Sequence, residues 1–150
     1  MSLDIRWLAD DGERRDFLAQ HDTSISVSPD MPLRANLSVL DNIAVIPQYR
    51  SNLAYDVAAD QAWALLRRAG RTSAAFRRDP DLDYEERFVA KFLRAIIGQP
   101  ELILVDRPAL LLPDIHYPPF LESLLAQFAD TYNACWILDY RWNAPLYPNR

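Results

Sequence analysis

A few residues of this chain could do chemistry, and their surroundings already narrow what that chemistry is. Asp106 closes an unbroken apolar run, Leu102-Ile103-Leu104-Val105, and Arg107 follows it. A carboxylate there either helps hold a divalent ion on a bound nucleotide or simply ends a strand and pairs with Arg107. Asp83, Glu85 and Glu86 form an acidic cluster at the start of a long amphipathic pattern. Acids at such a point cap orphan N–H groups and offset the positive end of the helix dipole, and few other oxygens are in view for a cation. His21 and His116 lack a cysteine or second histidine at ligand spacing, so no metal site is expected. Cys135 sits in the apolar run Ala134–Leu138 and reads as a small buried hydrophobe. No Ser-His-Asp arrangement can be assembled.

Phosphate chemistry is restricted further by two counts. There are three glycines, Gly12, Gly70 and Gly98, and one lysine, Lys91. Phosphate-cradling loops need glycines for close backbone approach, and a P-loop needs a lysine directly after its last glycine. None of the three precedes Lys91, so neither a phosphate loop nor a cofactor is expected.

The elements that position these residues follow from periodicity. Ile5 to Leu8 reads as a short strand, followed by a charged turn at 10–16. Residues 23–29 alternate apolar and polar, reading as a strand stopped by Pro29. Ser38 is the N-cap of a short helix carrying Leu40, Ile43 and Ala44. A helix over 56–69 carries Trp63 on its apolar stripe and ends at Gly70; a basic, irregular connection over 71–80 follows. The strongest helix spans 83–97, with Glu86 three residues after Asp83 in a capping-box pattern. Pro118-Pro119 opens another helix, and 143–150 reads as an irregular tail. Strands 102–105 and 134–138, both apolar throughout, argue an α/β parallel sheet with flanking helices and a helical arm. The ranges are 1–32 and 81–142 for the core and 33–80 for the arm, in a single domain.

Composition excludes other classes. The chain has 150 residues, half of them apolar, and a net charge of −5 from 16 basic and 21 acidic side chains. That is enough to bury a core and too acidic to wrap a nucleic-acid backbone. No apolar stretch reaches the length of a membrane span. The single cysteine points to a reducing, cytoplasmic compartment.

The stretch Leu82 to Pro108, LDYEERFVAKFLRAIIGQPELILVDRP, resembles the signature-to-Walker-B segment of ATP-binding-cassette (ABC) transporter ATPases, a P-loop-NTPase-like family. Asn36 to Ala44 is similar to the helix after that family's Q-loop, and Cys135 to Arg141 falls at its last core strand and switch. The resemblance covers about residues 25 to 141, and within the family it looks most similar to the lipid-asymmetry type of importer ATPase. It implies a truncated, degenerate relative that lacks the Walker A segment, since the match starts after the position of the P-loop helix. Ser28 stands at the Q-loop position. Leu82, Asp83, Tyr84, Glu85 and Glu86 stand at the signature, Asp83 replacing Ser and Tyr84 and Glu85 the two glycines. Asp106 keeps the Walker B aspartate, Arg107 replaces the catalytic glutamate, and Tyr140 replaces the switch histidine.

The resemblance therefore implies a catalytically inactive ATPase-like subunit or accessory protein of a transport system, without catalytic residues of its own. It would act by docking, with arm residues Tyr49 and Tyr55 as candidate contacts. The implied partner is a membrane-spanning transporter subunit or another ATPase subunit, with a homodimer as a further arrangement. No nucleic acid is implied. The chain would be cytoplasmic and reach the inner membrane through its partner. Two alternatives stand beside this reading: an ATP-hydrolysing domain completed by a separately encoded P-loop partner, and a free-standing regulatory domain.

Overall fold

A computed structural model describes residues 3–148 of the chain. The chain divides into two compact units. One comprises the residues up to Asp30 together with those from Pro100 onward, and the other is Met31–Gln99. The termini of the ranges inferred above, residues 1–2 and 149–150, lie outside the described residues.

The first unit is built on strands β1 (Ile5–Leu8), β2 (Ile25–Val27), β3 (Leu102–Asp106) and β4 (Ala134–Tyr140). All pairs are parallel, in the order β1-β4-β3-β2. The central strands β3 and β4 are the apolar runs, and Ile103, Leu104, Val105, Ile137 and Leu138 are fully buried, as strands covered on both faces must be. Helix α1 (Asp11–Gln20) lies where the sequence reads as a charged turn. Its large apolar residues are only Phe17 and Leu18, which pack on Leu8, Leu104 and Leu138, while a third inward position is taken by buried Arg14. An arginine in the inward stripe hides the helical period. The start was nevertheless written in Asp10 and Glu13: the Asp10 carboxylate accepts from the Glu13 N–H at 2.8 Å.

After β3 come a single turn, α5 (Pro108–Leu111), and α6 (Tyr117–Gln127), which buries Tyr117, Leu121, Leu124 and Leu125. The segment expected to be an irregular tail is instead a 3-10 helix, Arg141–Leu146, followed by buried Tyr147. A polar anchor at Asp139 holds it down.

The second unit contains α2 (Val39–Arg50), α3 (Tyr55–Arg68) and α4 (Tyr84–Ile97). Ser38 caps α2 as its sequence predicts, but the helix continues through Pro47 to Arg50. Proline removes one ladder bond without ending a helix whose apolar face is already buried. Gly70 ends α3 at φ +69°, with the Gly70 N–H on the Arg67 carbonyl and the Arg71 N–H on that of Leu66. Those two bonds are a Schellman motif, and only glycine enters the left-handed region freely. Gly70→Ala is expected to cost about 1 to 2 kcal/mol in denaturant unfolding. The connection over 71–80 contains two 3-10 turns, Thr72–Ala74 and Asp79–Asp81, and buries Ala74 and Ala75. Helix α4, assigned to the core with 81–142 by sequence, clusters with this unit.

Candidate functional site

In a parallel sheet the loops at the carboxyl ends of the strands are where ligands bind. Here β1 runs into α1 through just Ala9 and Asp10, β2 into Ser28, and β3 into Arg107. A strand–turn–helix unit is the frame of a P-loop, but two residues leave no loop to surround a phosphate. The helix N-terminus that would face an anion carries Asp10 as its cap and Asp11 in its first turn. Two carboxylates there repel a phosphate instead of receiving it.

Asp106, 1% exposed, is the centre of the edge. Arg14 grips it as a fork, Nε to Oδ1 at 2.8 Å and Nη2 to Oδ2 at 2.9 Å. The Ser28 hydroxyl donates to Oδ2 at 2.7 Å, and Arg107 adds longer bonds of 3.3 and 3.2 Å. Arg14 also donates to Asp30 at 2.7 Å and to Asp11 at 3.1 Å, and Arg107 donates to Asp30 at 2.6 Å. Burial pushes the Asp106 carboxyl up, but bonds from Arg14, Ser28 and Arg107 outweigh it and hold the pKa below the ordinary carboxylate value. The same contact with Asp106 chiefly raises Arg14, against the opposing effect of its own burial. Arg107 reaches its place from a left-handed backbone, φ 53°.

Every oxygen of Asp106 is thus committed to protein donors. Among the described residues no three His, Cys, Asp or Glu side chains are grouped so as to hold a metal ion. The arrangement holds the guanidinium of Arg14.

Of the sequence candidates, Ser28, Asp106 and Arg107 meet directly. Tyr140 reaches the cluster's margin, its hydroxyl 3.3 Å from Asp11 and its ring stacked on Trp142 at 4.2 Å. The signature-like residues belong to the other unit. There Asp83 caps α4 at 2.7 Å from the Glu86 N–H, and Glu86 returns a bond to the Asp83 N–H at 3.0 Å. Arg71 pairs with Glu85 and Arg77 with Glu86, Leu82 is buried, and the exposed Tyr84 ring lies 5.8 Å from the Arg87 guanidinium carbon. Asp83→Ala should cost about 0.5 to 2 kcal/mol, equally with chelator and with excess Mg²⁺ or Ca²⁺ in melting curves. Tyr49 is exposed at the end of α2, whereas Tyr55 donates its hydroxyl to Asp41 at 2.6 Å. Trp63 is half-buried, its ring tilted against Phe76 at 5.9 Å.

His116 is exposed, but His21 is half-buried, stacked on Phe17 at 4.3 Å. Cys135 is buried and its thiol is pushed up to about 12, mainly by burial, which leaves it inert as a nucleophile.

Sequence reasoning missed Arg14, Asp11 and Asp30. The Asp10–Glu13 cap spacing signalled a helix, but nothing local tied Arg14 to a carboxylate 92 positions away.

No family model and no curated protein matches the chain. Solved structures do. The ATP-binding cassette MJ0796, as a post-hydrolysis dimer with ADP and Pi, superposes with a TM-score of 0.61 at 22% identity over 89% of this chain. An inward-facing ABC transporter described as metal-chelate type gives 0.68 at 19% identity over 91%. The fold is ABC-ATPase-like. Those spans exceed what residues 25–141 alone can fill, so part of the similarity falls outside the stretch that carries the sequence resemblance. The chain spans 58% and 62% of the length of these two chains. No helix among the described residues of this ABC-ATPase-like chain is long and apolar enough to cross a membrane.

Proposed function

We propose that this chain is a catalytically inactive ATPase-like subunit or accessory protein of a transport system, acting by protein–protein docking. One observation carries the reading: Arg14 holds both oxygens of Asp106, the carboxylate that in P-loop NTPases helps to hold Mg²⁺. A guanidinium in that place already supplies the positive charge. Arg107 replaces the acid that would serve as general base, and Tyr140 the switch histidine. The two-residue Ala9–Asp10 connection supports the same conclusion.

What remains usable is surface. The MJ0796 structure is a dimer and the second relative is a transporter, which favours a membrane-spanning subunit, another ATPase subunit or a second copy as the partner. Tyr49 is the better exposed of the two arm candidates, because the Tyr55 hydroxyl is engaged. Such a partner would place the chain at the cytoplasmic face of a membrane. Completion by a separate P-loop fragment is disfavoured, since Arg14 must first be expelled from Asp106.

Calorimetry of the purified chain with Mg-ATP tests the inactive reading. No saturable heat is expected, and a micromolar dissociation constant overturns it. Affinity purification from membranes tests the docking reading: a membrane-spanning transport subunit should be recovered by the intact chain and lost with Tyr49→Ala.

A further inference from the structure

Strand β1 is the end of the sheet order, paired only with β4. The Ile137 N–H bonds the Asp4 carbonyl at 2.8 Å, which fixes the phase of the ladder. In a parallel pair, alternate residues turn their groups toward the neighbour, so Ile5 and Trp7 direct theirs away from β4. A groove of about 510 Å³ lies along that free edge, lined by β1 together with Glu13, Asp16, Phe17 and Gln20 of α1.

The groove's chemistry is uneven. Phe17, half-buried, and buried Leu8 give it an apolar floor. Glu13 and Asp16 are exposed on the helical wall. The one cation of the lining, Arg6, is paired with Asp4 at 3.3 Å and lies over the Trp136 ring at 3.9 Å. Its Nε is a buried polar atom without a hydrogen-bond partner. The groove therefore presents outward backbone groups and two carboxylates on one wall.

The geometry points to this edge as the docking site for an extended polypeptide strand of a partner, with Lys or Arg at every second position. An added strand pairs its backbone with Ile5 and Trp7. Every second side chain then falls on the α1 side, where a basic group meets Glu13 and Asp16. The period of two and the sign of the wall together select the sequence. Short edge strands avoid indiscriminate pairing, and the acidic wall adds discrimination against acidic strands. This inference is independent of the inactive-subunit reading, because nothing in it involves the Asp106 cluster.

The test uses two blocked octapeptides, alternating lysine–valine and alternating glutamate–valine, titrated into the full chain while backbone amide resonances are followed. Saturable shifts centred on Ile5 and Trp7 are expected with the lysine peptide, which should bind at least about tenfold more tightly than the glutamate peptide. The surface variant Glu13→Lys with Asp16→Lys should reverse that preference. Ile5→Pro, which removes an outward N–H and leaves the β4 ladder intact, should abolish the shifts. Absence of shifts at millimolar peptide, equal response to both peptides, or a preference unmoved by the charge reversal overturns the proposal. So does a dimer in sedimentation that Ile5→Pro dissociates, because a second copy then occupies the edge.

Discussion

Arg14→Met is expected to lower stability by about 3 to 5 kcal/mol near neutral pH, because it strands a buried carboxylate. Met has similar length and packs well, so the loss reports the charge and not a cavity. Asp106 would keep Ser28 and the longer bonds from Arg107 but lose its two short guanidinium bonds. The deficit should shrink as pH falls, for two reasons. In the wild type the folded pKa of Asp106 is depressed, so its stabilisation is present above the unfolded value, about 3.9, and is lost as pH falls through the lower folded value. In the variant burial is opposed by fewer bonds, so its carboxylate penalty is relieved on protonation. Asp106→Leu added to Arg14→Met should recover most of the loss, as apolar replacement of a whole buried pair often does. Urea unfolding of the wild type, Arg14→Met and the double variant at neutral and acid pH measures all of this. A single-variant loss under about 1 kcal/mol, or one that grows on acidification, would remove the ion pair from its central place.

Asp139→Ala should be nearly as damaging, about 3 to 4 kcal/mol, through a different mechanism. This carboxylate, 1% exposed, sits near the end of β4 and accepts from four donors. They are the hydroxyls of Tyr117 at 2.6 Å and Tyr147 at 2.7 Å, Asn143 Nδ2 at 2.9 Å and the Tyr140 N–H at 2.8 Å. Removing it leaves two buried phenols without their acceptor and releases the 3-10 helix that follows β4. Tyr147→Phe removes one bond and should cost about 1.5 kcal/mol. Burial, reinforced by Asp139, raises both tyrosines above their ordinary value. Such groups favour the neutral form when folded, so their contribution is kept below the unfolded pKa, about 10, and lost as pH rises past it. An ultraviolet tyrosinate titration should show both ionising only with unfolding. Proteolysis after Tyr140 in Asp139→Ala, and not in the wild type, would confirm the anchoring. A variant that unfolds like the wild type would refute it.

The sequence by itself determined what depends on neighbours along the chain. The apolar runs at 102–105 and 134–138 specified strands buried on both faces. Asp83 with Glu86 specified the cap of α4, Ser38 that of α2, and Gly70 the end of α3. The resemblance carried by 82–108 anticipated the ATPase-like sheet. Tertiary structure alone decided which charges meet. Arg14 looks like part of a solvated charged turn until α1 is laid beside β3 and β1, and its partner is 92 positions away. Asp139 follows the strand read at 134–138 and Tyr147 lies in the segment read as an irregular tail, yet their hydrogen bond pins the segment between them. The physical reason is common to both. A capping box or a strand run is stabilised by bonds within a few residues, so it leaves a local pattern. A buried ion pair or carboxylate hub is stabilised only where strand order brings distant elements together, and no local spacing records that order.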